Sequence, residues 1–202
     1  MIDQQFFIVF FVGVFVISSL SLKIFAYFEG IGLYVKDKNK GLSEKRKVLT
    51  SAGLPINVIL IFSYLLIGYA YGNSILFISI SMSLFLGLLV GLYDDYRQTH
   101  IWYKVPQMLI VSLPFIYFKP WDAEIFGSDI GDYYWFLILP IALMSFPNGF
   151  NIVAGYDGLE VSISIIMCSF YIFMAVFTLN SQILFLTLPM LAVLLAFLIF
   201  NL

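Results

Sequence analysis

Residues 75–104 read ILFISISMSLFLGLLVGLYDDYRQTHIWYK. Positions 75–93 carry no charge and come close to the ~20 residues an α-helix needs to cross a bilayer. The run stops on two adjacent aspartates, Asp94 and Asp95. Ionised carboxylates beside hydrocarbon are expensive, so acids at a membrane boundary are by default a functional-site hypothesis. Side by side they also repel, which is tolerable when a cation sits between them or one stays protonated. Paired carboxylates that gather a divalent cation are what phosphate chemistry needs. On the pair alone, a solvated loop start at a helix end explains the acids equally well.

Apolar stretches of similar length recur through the chain, which is 62% hydrophobic and 11% charged over 202 residues. A soluble domain carries about 25% charged residues, so the excess apolar surface must face lipid. The sequence predicts an all-α, polytopic helical membrane protein with spans at 6–28, 52–71, 75–93, 102–118, 133–150, 158–179 and 183–200. The fourth is the weakest, because Lys104, Pro106 and Pro114 interrupt it; a tilted, kinked or re-entrant path fits it. Gly72-Asn73-Ser74 joins the second and third spans as an antiparallel pair. No linker or repeat divides residues 1–202, which read as one transmembrane domain. The first apolar run is too long for a signal-peptide core and lacks a small-residue cleavage pattern. The single cysteine, Cys168, excludes an internal disulfide.

Charge placement orients the spans. The loop 29–51 holds Lys36, Lys38, Lys40, Lys45, Arg46 and Lys47; Lys23, Arg97 and Lys104 fall on the same side if the spans alternate. The other side has only Lys119. The positive-inside rule makes the crowded side cytoplasmic and the N-terminus external. The external loop 119–132 is acidic, and its Gly127 and Gly131 allow a small hairpin. A net charge of −2 gives no reason to expect a nucleic-acid partner; membrane lipids are the expected surroundings, with a homodimer as a candidate state.

The cytoplasmic loops are then 29–51, 94–104 and 148–157, which puts Asp94 and Asp95 on the face that carries residues 147–160, PNGFNIVAGYDGLE. Asn148 and Asn151 are three apart, as are Asp157 and Glu160, so each pair shares a face on a helical turn. Gly149, Gly155 and Gly158 interleave them and let a backbone approach a ligand closely. Asn offers a carbonyl oxygen to a hard cation and amide donors to a phosphate or base. Asp157 as a helix cap, with Glu160 as its capping-box partner, explains the same spacing structurally, and a capped helix start is also a good anion site. Lys104 at the mouth of the fourth span either snorkels to the interface or reaches a phosphate near Asp94 and Asp95. His100, the only histidine, reads as an exposed polar residue.

GLYDDYRQTHIWYK (91–104) resembles the G-(L/I/V)-x-D-D-x(8)-K block of the polyprenyl-phosphate N-acetylhexosamine-1-phosphate transferases. NGFNIVAGYDGLE (148–160) resembles that superfamily's N-x-x-N-x-x-x-G-x-(D/N)-G-L-(D/E) block, and Lys36-Asp37-Lys38-Asn39-Lys40 looks like an upstream K-D-x-N-K block. The AG-x-x-GLE form resembles the branch that starts N-glycan synthesis in eukaryotes and archaea, and Asp157, where the eukaryotic enzymes usually have Asn, leans archaeal. Thr50-Ser51-Ala52-Gly53-Leu54-Pro55 departs from the family's usual P-E-x-(G/Q)-G sequence. The resemblance implies that Asp94 and Asp95 lie at the diphosphate and Mg2+ (or Mn2+) site and that Lys104 contacts phosphate. It makes Asn151 a metal ligand supported by Asn148. Gly155 and Asp157 would lie near the uridine, with Glu160 in the same substrate-binding block, and Asp37 and Lys40 in the cytoplasmic wall.

The resemblance also implies a fold of about ten helices, of which these residues form the N-terminal part. The family's later N-x-x-P-(A/S)-x-x-F-x-G-D block, which supplies another metal ligand, is not in the sequence, and Phe200-Asn201-Leu202 looks like its beginning. The chain therefore reads as incomplete at its C-terminus, and 1–202 alone is expected to show little activity. The expected reaction transfers GlcNAc-1-phosphate from UDP-N-acetylglucosamine to dolichyl or polyprenyl phosphate on the cytoplasmic face. Alternatives are the same chemistry for a bacterial-type cell-wall or O-antigen carrier, an inactive fragment or paralogue, and a cation-coupled transporter. A transporter places its acids near the midplane, whereas these fall at span ends.

Overall fold

A computed structural model describes residues 4–29, 53–97, 101–125, 127–143, 145 and 159–201. Seven helices and one two-stranded hairpin make up the described chain: α1 (Gln4–Glu29), α2 (Gly53–Tyr71), α3 (Ser74–Arg97), α4 (Ile101–Phe118), β1 (Glu124–Ile125), β2 (Ser128–Asp129), α5 (Tyr134–Leu143), α6 (Leu159–Phe177) and α7 (Ser181–Asn201). This is the all-α polytopic membrane architecture the composition demands. Among the described residues, α1, α2, α3, α6 and α7 are long and apolar enough to cross a bilayer, while the apolar parts of α4 and α5 are shorter, Leu109–Phe118 and Tyr134–Leu143. Large apolar side chains such as Val9, Phe62, Phe85 and Phe173 stay exposed, as lipid-facing surfaces must.

The chain folds as two compact units, one of Met1–Ile59 with Tyr156–Leu202 and one of Leu60–Gly155. In the first, α7 packs against α1 and α6. Phe7 stacks on Phe185 with ring centroids 4.9 Å apart, and further along the two helices Leu22 packs with Ala196. Packing that advances together along both sequences makes α1 and α7 parallel. α6 and α7 are antiparallel, joined by a turn whose bonds follow the Schellman pattern: Asn180 N–H donates to Ala175 C=O at 2.9 Å and Leu179 N–H to Val176 C=O at 3.3 Å. Leu179 takes the left-handed conformation (φ 53°) that usually selects glycine. Asn180 then caps α7, its Oδ1 accepting from Gln182 and Ile183 N–H at 3.1 and 3.2 Å.

In the second unit α3 is held by both its sequence neighbours. Gly72 (φ 75°) closes α2 in the expected turn. Gly68 lets the helices approach, since a Cβ there would stand 2.9 Å from the Phe77 Cβ, and the Tyr64 and Phe77 rings stack at 6.2 Å. Hydroxyls without water must find a carbonyl. Ser81 Oγ donates to Phe77 C=O at 2.7 Å and also approaches Ile61 C=O of α2 at 3.3 Å. Ser83 Oγ donates across to Val111 C=O of α4 at 2.7 Å. That turn of α4 precedes Pro114, which denies Ile110 C=O its helical donor and bends the helix there. α5 opens with a π-helical stretch, Tyr134–Ile138, in which Leu139 N–H reaches Tyr134 C=O. Pro140, which has no N–H to give Phe136, follows at once. The glycine-bearing loop does form a hairpin, in the register Glu124↔Asp129 and Ile125↔Ser128.

Two substitutions test these local arguments by thermal unfolding in detergent. Leu179→Gly relieves the left-handed backbone and is expected to stabilise by up to about 1 kcal/mol. Ser83→Ala removes the α3–α4 bond and is expected to destabilise by about 0.5–1.5 kcal/mol.

Candidate active site

Nothing in Gly91–Arg97 breaks a helix, and α3 runs unbroken through Asp94 and Asp95 to Arg97. The hydropathy pattern places a loop over 94–104; instead α3 ends at Arg97 and α4 begins at Ile101, leaving residues 98–100 between them. The reason is that hydropathy marks where a span leaves hydrocarbon, not where the backbone stops hydrogen bonding. Asp94 is half-buried. Asp94 and Asp95 occupy adjacent helix positions, about 100° apart around the axis.

The helix dipole does not by itself account for the two acids. A helix carries roughly half a negative charge at its C-terminus and half a positive charge at its N-terminus, so acids stabilise the start and bases the end. α3 puts two acids in its last two turns. α4 puts Lys104 in its first turn. The two acids and the lysine each have the unfavourable sign, while Arg97, the last residue of α3, has the favourable one, and three residues separate the two helix ends. Such an arrangement offers negative charge to a cation and positive charge to an anion within one small region, which is what a metal-diphosphate ligand presents. The oxygen donor set suits a hard divalent cation. Among the described residues, no three His, Cys, Asp or Glu side chains gather as a ready-made metal cluster.

Glu160 lies in the first turn of α6 and is half-buried, with its carbonyl accepting from Ser164 Oγ at 2.8 Å. An acid there has a structural explanation in the helix N-terminus. It belongs to the first compact unit, whereas Asp94, Asp95 and Lys104 belong to the second. Asp37, Lys40, Asn148, Asn151, Gly155 and Asp157 lie outside the described residues. On the acid-bearing helix, Gly87 and Gly91 precede Asp95 at successive four-residue steps, and a Cβ at either would meet nothing within 4 Å; Gly91 opens the acid-pair block, and Gly87 lies just outside it.

If the acid pair opposes the α3 dipole, removing one charge stabilises the metal-free protein. Asp95→Asn is expected to gain about 0.3–1 kcal/mol in EDTA, read as a higher melting temperature, and to lose that advantage when Mg2+ is added.

The sequence model of glycosyl transferase family 4 matches residues 77–202, beginning within α3 and including the acid pair, Lys104 and the 148–160 block. No curated protein matches the chain. The matched segment is more than half of the 202 residues, and the chain belongs to glycosyl transferase family 4, the superfamily of membrane enzymes that move a sugar phosphate onto a lipid carrier.

Proposed function

We propose that the protein transfers GlcNAc-1-phosphate from UDP-N-acetylglucosamine to a polyprenyl or dolichyl phosphate, releasing UMP and opening lipid-linked oligosaccharide assembly. The observation that carries this reading is the acid pair at the negative end of α3 beside a lysine at the positive end of α4. The GYDGLE form of the 155–160 segment supports the N-glycan branch over the cell-wall branch. The active face is cytoplasmic, in agreement with the six basic residues of 29–51.

The chemistry is positioning plus electrostatics. An oxygen of the lipid phosphate attacks the sugar-proximal phosphorus of the nucleotide sugar. The bond between that phosphorus and the bridging oxygen breaks, and UMP leaves with the bridging oxygen. Asp94, Asp95 and Asn151 are the residues that would hold Mg2+, which when bound neutralises the diphosphate and the departing UMP. Lys104 adds a fixed positive charge to the lipid phosphate or diphosphate oxygens. Asn148 orients Asn151, while Gly155, Asp157 and Glu160 shape the nucleotide side and Asp37 and Lys40 close the cytoplasmic wall. The membrane spans set the acceptor's phosphate at the interface, where a water-soluble donor meets it.

Membranes containing the protein, supplied with polyprenyl phosphate and UDP-N-acetylglucosamine labelled in the β-phosphate, test the reading. Label is expected in the lipid fraction only with Mg2+ or Mn2+, with UMP as co-product. UDP as co-product, or no metal-dependent lipid label, overturns it. Asp94→Asn and Asn151→Ala are each expected to lower transfer at least about tenfold, the scale of weakening a metal site. Near-normal rates in either variant remove that residue from the site.

A further inference from the structure

α1 is apolar from Phe6 to Leu22 and meets its first charge at Lys23. From Gln5 to Lys23 the helix rises about 27 Å at 1.5 Å per residue, against a hydrocarbon core of about 30 Å. With Gln5 at one edge of the core, Lys23 lies about 3 Å inside the other. Packing gives a second measure of that depth. Leu22 is fully buried and packs with Ala196 of α7 and Ile56 of α2. Ile56 stands about 5 Å inside the start of α2, a span whose 19 residues match the thickness of the core. Both measures leave the stem of Lys23 in hydrocarbon with its ammonium within reach of the headgroups. Leu22 faces inward, and one residue on, about 100° around the axis, Lys23 is exposed. Among the described residues no carboxylate pairs with it. Glu29, the other charge of α1, is six residues on and about 120° away around the axis, so the two are not neighbours on the helix surface.

We infer that this face of α1 binds one bilayer phospholipid whose headgroup is net negative, held through its phosphate by Lys23. Val16 and Leu20 are exposed and lie within about 60° of Lys23 around the axis, and Val9 and Val12 continue the stripe. The hydrocarbon of one leaflet is about 15 Å deep, or about ten residues of helix. An acyl chain laid along the stripe from Lys23 therefore covers Leu20 and Val16 and ends near Gly13, where even an added Cβ would meet nothing within 4 Å. Tyr27, one turn beyond Lys23 on the same side and 70% exposed, sets an amphipathic ring at the level of the headgroups. Charge complementarity selects the lipid. A lysine at the membrane edge attracts anionic headgroups, and next to hydrocarbon that attraction is weakly screened. A choline or ethanolamine head brings its own cation, which opposes Lys23; a glycerol head brings none. The site stands on α1 alone and does not depend on the transferase reading.

Leu20→Trp places an indole on the stripe. Its emission, taken as the gain over the unsubstituted protein with Trp102, Trp121 and Trp135, reports the lipid beside α1. The protein is reconstituted in phosphatidylcholine bilayers doped with nitroxide-labelled lipid. Labelled phosphatidylglycerol is expected to quench the gained emission about twofold or more over labelled phosphatidylcholine. Lys23→Gln is expected to abolish that difference and Lys23→Arg to retain it. Equal quenching by the two labels overturns the preference, and a difference that survives Lys23→Gln overturns the role of Lys23. Unlabelled polyprenyl phosphate that relieves the quenching at a lower mole fraction than unlabelled phosphatidylglycerol would make this an acceptor-lipid site and overturn the phospholipid assignment. If Leu20→Trp disturbs folding, native mass spectrometry of the unsubstituted and Lys23→Gln proteins carries the readout. The variant is expected to retain one phosphatidylglycerol fewer, and equal numbers overturn the site.

Discussion

A hydroxyl inside a bilayer has no water to bond, and this constraint organises the acid-bearing unit. Ser79, Ser81, Ser83 and Ser112 are buried, and each donates to a backbone carbonyl. Most such bonds stay within a helix and hold nothing together. Ser81 and Ser83 are different because they point two ways around α3. Two positions of separation turn the helix by about 200°, so one hydroxyl reaches toward α2 and the other toward α4. Helices in lipid gain little from apolar burial against each other, which leaves close packing and interhelical hydrogen bonds to associate them. Gly68 against Phe77 supplies the packing and the two serines supply the bonds. α3 is thereby fixed on two sides before it reaches Asp94.

That fixity matters because the far end of α3 is electrostatically unfavourable. Two acids at a helix C-terminus and a lysine at the next N-terminus each oppose the local dipole. Arg97, the last residue of α3, has the favourable sign and offsets part of this. In the proposed reaction a diphosphate with its metal would be complementary to the acids and to the lysine. The stability forgone at the site is small beside what the packed helices supply, so a rigid α3 is able to carry it.

The spans were legible because length and lack of charge leave few alternatives; the predicted 52–71 and 75–93 match α2 and the apolar part of α3 closely. The hairpin was legible from Gly127 and Gly131, both of which have positive φ. Less legible were features in which a residue does unusual work. A rule that seeks glycine after a helix misses Leu179. Periodicity does not announce a π-helical start to α5, which depends on Pro140. A serine that bonds its own turn and one that bonds a neighbour look identical in sequence. Within the candidate site, the residue types of the acid pair were plain, but their helical setting was not. Hydropathy alone does not mark that α3 continues through the pair to Arg97.

α4 packs along α3 through Ser83 and Val111, and its outer end meets α5 in the shared cluster of Phe115 and Trp135. Both helices have shorter apolar runs than α3, so neither matches its length alone. Ile80 of α3 packs on the same cluster, fourteen residues before Asp94. One set of rings therefore ties α4 and α5 to the part of α3 remote from the acid pair. Within this unit the aromatic cluster is as much a part of the fold as the long apolar runs.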